Sequence, residues 1–548
     1  MTSLPVPETA TPPRRVSRTG RLVALVGTTV SAVVLSMLTL QPAHADTSPA
    51  PGTPETVSSD SLVVPQVDGV VWDQVVIGDV VYVGGKFNTT RPTGNREGVG
   101  TTERKNLLAY NIKTGALLPW APGTDQQVLG LAASPDGKRL YAVGDFTSVA
   151  GQTRQHIAAF DVATGALSTS FTAETNKQTM EVVATNSTVY VSGYFSQVKA
   201  NAAAPNVTRA PGVAAFSASN GAVLPWAPAT AGGVVRAMLL SPDNSKVVLG
   251  GSFTTLNGSS NPGYGLGAVD AVSAAILPFG SNSEIRNGGK DASIYDLASD
   301  GTSVYGTGYV YGSGGNLEGA FRADWDGGSL DWVADCHGDT YSISASAQSS
   351  AIYTAGHAHY CGNLGTGGFP QTEPWTFNRA IAFSKDVTGT SKPDIYGYPD
   401  HPGRPSPSLL DWYPDMNAGS FTQMWQGPWD VLVSGDYVLY GGEFTTVNGT
   451  RQQGLARFAA KSIAPNKDGP LVSGSFFKPT LASFTRGAVR VSWPANHDRD
   501  NSLLTYDIIR NGQTASPIWT TQEASNFWTR PMISFTDKGL TPGATYQY

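Results

Sequence analysis

The sequence predicts an all-β fold, a seven-bladed β-propeller, on three observations. The first is composition: 62 glycines, 36 prolines and only 14% charged residues in 548 describe a turn-dense chain of short strands rather than a helical one. The second is one phrase met seven times, a β-branched and aromatic run that ends in glycine, a variable residue and usually an aromatic. The copies are VVYVGGKF (to Phe87), RLYAVGDF (Phe146), TVYVSGYF (Phe195), KVVLGGSF (Phe253), SVYGTGYV (Val310), AIYTAGHA (Ala358) and YVLYGGEF (Phe444). The third is spacing. Aligned on Gly85, Gly144, Gly193, Gly251, Gly308, Gly356 and Gly442, the copies lie 59, 49, 58, 57, 48 and 86 residues apart, which is room for four short strands and their turns in each. One four-stranded sheet cannot cover both its faces, whereas a ring of seven does, each sheet packing on the next. The recurring aromatics are read first as that packing.

The elements follow in chain order. Arg14, Arg15, Arg18 and Arg21 precede an apolar stretch from Leu22 to Leu40, and Ala43-His44-Ala45 offers a cleavage site, so residues 1–45 read as a signal peptide. The same stretch has the length of an uncleaved membrane anchor, and Arg14-Arg15 leaves a twin-arginine signal open. Residues 46–60, rich in Pro, Thr and Ser, read as a linker. The propeller is expected over 61–474. Each repeat opens with an apolar run such as VLGLAAS (128–134) and turns at a segment such as Pro135-Asp136-Gly137. The glycine-ended run and a third alternating strand such as IAAFDV follow, and a fourth element such as GALLPWAP (115–122) completes the repeat. Thr114-Gly115, Thr164-Gly165 and Asn220-Gly221 mark the hairpins between third and fourth strands. The 86-residue interval predicts an insertion between repeats six and seven. Ring closure is left open between residues 61–72 and residues 469–475.

After residue 474 the grammar changes. AVRVSWPA (488–495), LLTYDIIRNG (503–512) and LTPGATYQY (540–548) resemble a fibronectin type III β-sandwich. The resemblance implies that Trp493 is the core tryptophan and that Tyr546 holds the tyrosine corner. The domain is expected over 475–548, and it is read as incomplete because no last strand follows before Tyr548.

Charge excludes one class of partner. Removing residues 1–45 leaves 32 basic against 41 acidic residues with no basic stripe, so no nucleic acid is expected. No apolar run after residue 45 is long enough to span a membrane. Cys336 and Cys361 are the only cysteines; in an exported chain they read as a disulfide. A mature, secreted monomer is expected. Asn-x-Ser/Thr triplets at Asn88, Asn186, Asn206, Asn257 and Asn448 matter only in a glycosylating host.

The candidate site lies at the sixth repeat. Cys336, His337 and Asp339 precede its first strand, and His357, His359 and Cys361 end its second. Strand alternation puts His357 and His359 on one side. Three readings follow. His337, His357 and His359, with Asp335 or Asp339, are candidate ligands for a divalent metal. His337, Asp339, His357 and His359 are candidate catalytic acids and bases. The third reading is a polar loop pinned by the disulfide. Beside the cluster, residues 362–378 carry Trp375 and Phe377, Trp412 and Tyr413 lie in the insertion, and 415–428 carry Phe421 and Trp425. Trp375, Phe377, Trp412, Tyr413 and Trp425 are candidate ligand-binding aromatics, since sugar rings stack their C–H faces on such groups. The variable residues after each repeat glycine, Lys86, Asp145, Tyr194, Ser252, Tyr309, His357 and Glu443, are expected as a mixed rim on the same face.

The glycine-ended repeats, the segments DCHGDTYS and AGHAHYCGN, and the trailing sandwich resemble secreted actinobacterial β-propeller repeat proteins with a C-terminal fibronectin type III domain. The resemblance implies architecture and location more than chemistry. The expected function is binding of a polysaccharide or cell-surface glycan, with the sandwich as spacer. The alternative is an extracellular enzyme: a glycosidase or lyase acting on polysaccharide, or a metal-dependent oxidoreductase using the histidine cluster. No G-x-S-x-G elbow, phosphate loop or zincin motif is present.

Overall fold

The computed structural model describes residues 49, 52–201 and 203–548; the signal-peptide expectation for residues 1–45 lies outside them. The described chain is almost entirely β. Among the described residues, seven antiparallel sheets share one strand order, first–second–third. They are Val70–Ile77, Val80–Lys86 and Leu107–Asn111; Val128–Ala133, Arg139–Gly144 and Ile157–Asp161; Thr179–Ala184, Thr188–Gly193 and Val213–Ser217; Val235–Leu240, Lys246–Gly251 and Leu266–Asp270. Ala292–Ser299, Ser303–Val310 and Ala320–Asp324; Thr340–Ser344, Ala351–Ala358 and Asn378–Ser384; and Pro428–Ser434, Tyr437–Gly442 and Leu455–Ala459 complete the set. The glycine-ended run is the second strand every time. Sheets three, four and five add a fourth strand (Val223–Leu224, Ile276–Leu277, Leu330–Ala334). In the others that strand shrinks to single bridges, Tyr110 to Leu117, Phe160 to Leu167, Phe383 to Leu409 and Leu62 to Arg457.

The first strand of each sheet packs against the first strand of the next, and Pro428–Ser434 packs back on Val70–Ile77. This is a β-propeller. Its core lies between sheets: Tyr141 and Val143 share a cluster with Val189, Val191 and Phe216, and Val431 and Tyr440 share one with Tyr353 and Ala382. The phenylalanines that end the repeats, Phe87, Phe146, Phe195, Phe253 and Phe444, are all buried, each contributing roughly 2–3 kcal/mol of apolar transfer.

The ring closes through the N-terminal segment. Ser58 N–H donates to Ala459 O at 2.9 Å and Leu62 N–H to Arg457 O at 2.7 Å, placing this segment outside the third strand of sheet seven. Residues near 471 take the other course: Leu471 N–H donates to His497 O at 2.9 Å and Val472 N–H to Asn496 Oδ1 at 3.0 Å.

The repeat glycine has a steric cause. A Cβ on Gly144 would stand 2.2 Å from Gln127 O, and one on Gly251 would stand 2.1 Å from Val234 O. Those carbonyls belong to the residue just before the first strand, two residues before an irregularity that all seven sheets share. Between first and second strands the register slips by one residue, leaving Trp72, Leu129, Met180, Arg236, Tyr295, Tyr341 and Trp429 as the extra residues of seven β-bulges. A bulge bends its strand and re-aims a side chain. The glycine lets the bent backbone come close.

The C-terminal segment pairs Thr480–Ala482, Ala488–Pro494 and Met532–Lys538 in one sheet, and Leu503–Ile508 with Trp519–Ala524 in another. Val491, Trp493, Leu504, Tyr506 and Ile533 form its core. Tyr546 hydroxyl accepts the Thr541 N–H at 2.9 Å. Phe527 bears on Tyr413 (ring centroids 4.7 Å apart) and Phe369 (5.8 Å) of the propeller. Among the described residues no helix is long and apolar enough to cross a membrane.

Candidate functional site

The seven bulges converge. All seven extra residues line one cavity of about 250 Å³ at the meeting of the first strands, together with Asp73, Gln178, Glu181, Asp296, Ser342 and Asp430. Each sheet therefore delivers one side chain to the axis, and the set is mixed: Trp, Leu, Met, Arg, Tyr, Tyr, Trp. The aromatic members pack as a half-ring. Tyr341 lies 4.4 Å and Trp72 5.4 Å from Trp429, and Tyr295 lies 5.3 Å from Tyr341.

The residue after each bulge works differently. Asp73 accepts the N–H of Leu131 at 2.6 Å, and Asp296 accepts those of Ile343 at 2.9 Å and the Ser342 hydroxyl at 2.8 Å. Ser342 Oγ in turn accepts the Val431 N–H at 3.2 Å, and Asp430 accepts from Gln74 Nε2 at 3.0 Å. These bonds run from one sheet to the next and tie the ring together at its narrowest level. Glu181 accepts only its own neighbour, the Val182 N–H at 2.9 Å. Burial lifts the whole group, Glu181 to about 8 and Asp296 to about 6, and with neighbouring carboxylates it holds Asp73 and Asp430 well above the carboxylate range.

Around the cavity mouth the rim residues hold neighbours in place. Asp145 accepts from Gln127 and Gln178 amides at 2.7 and 2.8 Å, and Gln127 Oε1 accepts the Trp72 indole N–H at 2.9 Å. Glu443, itself buried, accepts the Thr422 N–H and hydroxyl at 2.7 and 2.6 Å and the Trp429 indole N–H at 3.3 Å, anchoring the loop that carries Trp425.

The sixth-sheet cluster is assembled as the sequence implies but is closed. Cys336 and Cys361 form the disulfide with Cα atoms 4.3 Å apart, and His337 bridges antiparallel to Tyr360 beside it. His337 is 1% exposed. Its ring lies flat on Tyr360 (5.6 Å) and against Tyr398 (4.5 Å), its Nε2 is 3.2 Å from Asp394 Oδ1, and its Nδ1 is 3.8 Å from Glu318 Oε2. Asp394 accepts the N–H groups of Tyr396, Gly397 and Tyr398, so this histidine seats a turn of the insertion. Asp335 accepts the His401 N–H at 2.9 Å. Burial raises Glu318 and Asp335 to about 7 and lowers His337 to about 4. Asp339 accepts the Tyr341 hydroxyl at 3.1 Å and is raised to about 6 by burial.

His357 and His359 do share a side, both meeting Phe377 edge-on (5.6 and 6.2 Å). His357 Nδ1 lies 2.8 Å from Gln426 Oε1 and 3.2 Å from the Tyr341 hydroxyl, and burial lowers it to about 4. His359, buried, stacks under Trp375 at 4.2 Å. The three histidines thus face three different sets of neighbours. Among the described residues no three His, Cys, Asp or Glu side chains converge as a metal-holding group. For the metal assignment of His337, His357 and His359 this is a correction.

Two aromatic expectations are also corrected. Trp412 is fully buried between Tyr353 (4.9 Å) and Phe458 (5.5 Å), filling the gap between sheets six and seven. Tyr413 packs on Phe527 and donates its hydroxyl to Asp498 O, sealing the seam with the C-terminal sheets. Trp375 (43% exposed), Phe377 (38%) and Trp425 (68%) remain open to solvent, with Phe421 and Met424 beside them. They border the cavity through one contact chain: Tyr341 lines it, His357 meets Tyr341, and His357 meets both Phe377 and Gln426.

The axial residues were missed in the sequence. Their signal is present: counting back from each repeat glycine to the apolar run before it aligns VVWDQVV, VLGLAA, TMEVVA, VRAMLL, SIYDLAS, TYSISAS and PWDVLVS. Their third or second position varies freely, and the residue after it is an acid or serine in five of the seven.

No family model matches the chain, and no curated protein matches it. Solved structures resemble it distantly. "Structure of U3-55K" is 11% identical over 74% of this chain and 100% of that chain, with a TM-score of 0.41. "Crystal structure of RRP9 WD40 repeats" is 12% identical over 74% and 98%, at 0.40. The Cps50 (Swd1) beta-propeller domain of Myceliophteria thermophila is 9% identical over 73% and 99%, at 0.39.

Proposed function

We propose that this chain is a seven-bladed propeller of a secreted protein, joined to a fibronectin type III sandwich, and that it binds a polysaccharide or cell-surface glycan across the face where the bulges open. The observation that carries this reading is the axial cavity: seven bulged side chains aimed at one space, four of them aromatic, with solvent-exposed Phe377 reached from it through Tyr341 and His357, and exposed Trp375 and Trp425 on the loops beyond. Aromatic faces accept the C–H faces of sugar rings, and the polar groups between them, Gln178, Glu181 and Ser342, are suited to hydroxyls. The sandwich serves as a spacer held firmly by Phe369, Tyr413 and Phe527. The bond from the Thr541 N–H to the Tyr546 hydroxyl and the burial of Trp493 among Val491, Leu504 and Ile533 support the fibronectin type III reading.

The test is a polysaccharide pull-down and glycan array on the mature protein. Trp425→Ala and Trp375→Ala should each weaken binding by roughly tenfold, since a stacked aromatic contributes about 1–2 kcal/mol. His337→Ala binding, measured on the folded fraction, should equal wild type. A mature protein that retains no glycan sinks the reading.

One observation favours a second reading, a polysaccharide hydrolase. Glu181 keeps its proton to about pH 8 inside an accessible cavity that also holds Asp296, the arrangement general-acid catalysis uses. Release of reducing ends that disappears in Glu181→Gln would decide for it.

A further inference from the structure

We propose that the glycan is an acidic one, and that Arg236 receives its carboxylate where the axial cavity joins a second depression beside it. The inference rests on the glycan reading above and adds the ligand's charge. Arg236 is the bulged residue of sheet four. Among the described residues lining the axial cavity it is the one basic side chain. Its guanidinium lies over the Tyr295 ring, with Cζ 5.5 Å from the centroid. Its Nε is buried and has no hydrogen-bond partner, and among the described residues no carboxylate is ion-paired with it. A guanidinium carries five donors in a planar fork and has no acceptor. Turned into a cavity with donors unfilled, it lacks the planar anion that fork fits.

The surroundings agree. Arg236 also lines a depression of about 550 Å³ with Tyr194, Ser252, Lys290 and Tyr309. Tyr309 meets Tyr295 at 5.9 Å, so a line of tyrosines leads from the axis to the half-exposed Tyr194 at the rim. Lys290 reaches outward, paired only at the surface with Asp291 at 3.3 Å. A chain of sugar rings lying on the tyrosines would present a ring carboxylate to Arg236. The cavity carboxyls do not forbid this. Asp73, Asp296 and Asp430 are turned to N–H groups of the neighbouring sheets, and burial keeps all four acids more protonated than in water.

The experiment compares polygalacturonate with the same polymer after chemical reduction of its carboxyl groups, by calorimetry on the mature chain. Wild type should bind the acidic polymer at least about tenfold more tightly at low salt, the scale of a charge-assisted bidentate contact. Arg236→Gln should abolish that preference while leaving the reduced polymer's affinity unchanged, and Arg236→Lys should restore part of it. Thermal melting of each variant confirms that it is folded. Equal affinity of wild type for the two polymers, or a preference that survives Arg236→Gln, overturns the inference and leaves the glycan reading standing. Failure of both polymers and of the glycan array together removes both.

Discussion

Two polar clusters lie next to each other in this propeller, and they share almost every property except access. The axial cavity gathers one side chain from each of seven strands and leaves about 250 Å³ open among them. The sixth-sheet cluster gathers three histidines and four carboxyls near one disulfide and covers two of the histidines, His337 being 1% and His359 4% exposed under Tyr360, Tyr398 and Trp375, with His357 partly buried. Both contain carboxyls pushed up by burial, Glu181 to about 8 in one and Glu318 to about 7 in the other. A displaced pKa therefore marks burial in both and function in neither by itself. What separates them is whether the space beside the polar groups is filled by protein or left open. In the sealed cluster Asp394, Asp335 and Glu318 each accept backbone N–H groups. In the open one Arg236 has nothing to donate to through Nε.

The largest effect that would sharpen this contrast comes from the disulfide. Opening the 25-residue loop between Cys336 and Cys361 in a Cys336→Ser/Cys361→Ser protein should lower stability by about 3–4 kcal/mol on the chain-entropy account. Urea unfolding followed by tryptophan fluorescence reads it. Glycan binding by the folded protein should not move. If binding falls instead while the folded fraction stays constant, the sixth-sheet cluster belongs to the site and the comparison fails.

Why one cluster was legible in the sequence and the other was not is a matter of sequence distance. Cys336, His337, His357, His359 and Cys361 sit within one short window, and strand alternation alone predicts that His357 and His359 share a side, which they do at Phe377. The repeat glycines likewise fixed the second strands, because a steric demand recurring in every sheet leaves the same letter each time. Trp72, Arg236, Tyr295 and Trp429 come from four different repeats and carry three unlike side chains at one backbone position, so no motif marks them. Burial was the other hidden quantity. Trp412 and Tyr413 look like loop aromatics until the insertion folds back, after which Trp412 fills the core and Tyr413 meets Phe527. Closure was undecided for a similar reason: each stretch offers a short apolar run, Leu62-Val63-Val64 and Leu471-Val472, and only the C-terminal sheets, by engaging Leu471 and Val472, leave the N-terminal segment to pair with Arg457.

A smaller effect tests the link between bulge and glycine. In Gly251→Ala the new methyl would start 2.1 Å from Val234 O, a backbone atom that can move only with the bulge that aims Arg236. Overpacking of this kind costs typically 1–3 kcal/mol. The expected result is a lower melting temperature together with weakened glycan binding. Gly258→Ala, at a left-handed glycine with no atom near its Cβ, is the control: it strains a surface turn, and binding should be unchanged. Loss of binding in the control as readily as in Gly251→Ala would separate the glycine from the site.

The smallest effect is the dependence of stability on pH, where the buried histidines and the buried carboxyls act in opposite directions. His337 and His357 are held near 4 by burial, against an ordinary 6.5. The unfolded chain takes up their protons first, so the stability they contribute is complete above about 6.5 and is lost as pH falls through 4. Glu181 is held near 8 against an ordinary 4.5. There the folded chain keeps a proton that the unfolded chain releases, so the contribution is complete below about 4.5 and declines as pH rises through 8. Melting temperature should therefore carry an acid limb from the buried histidines and an alkaline limb that Glu181 shares with Asp73, Asp296 and Asp430 of the cavity and with Glu318, Asp335 and Asp339 of the sixth-sheet cluster. Glu181→Gln, which keeps the shape and removes the charge, should flatten the alkaline limb and leave the acid limb in place. Asp73, Asp296 and Asp430 preserve part of the slope. An alkaline limb unaltered by Glu181→Gln would mean that solvent already reaches that carboxyl freely, and the cavity would then be wetter at its floor than the packing of Trp72, Tyr341 and Trp429 implies.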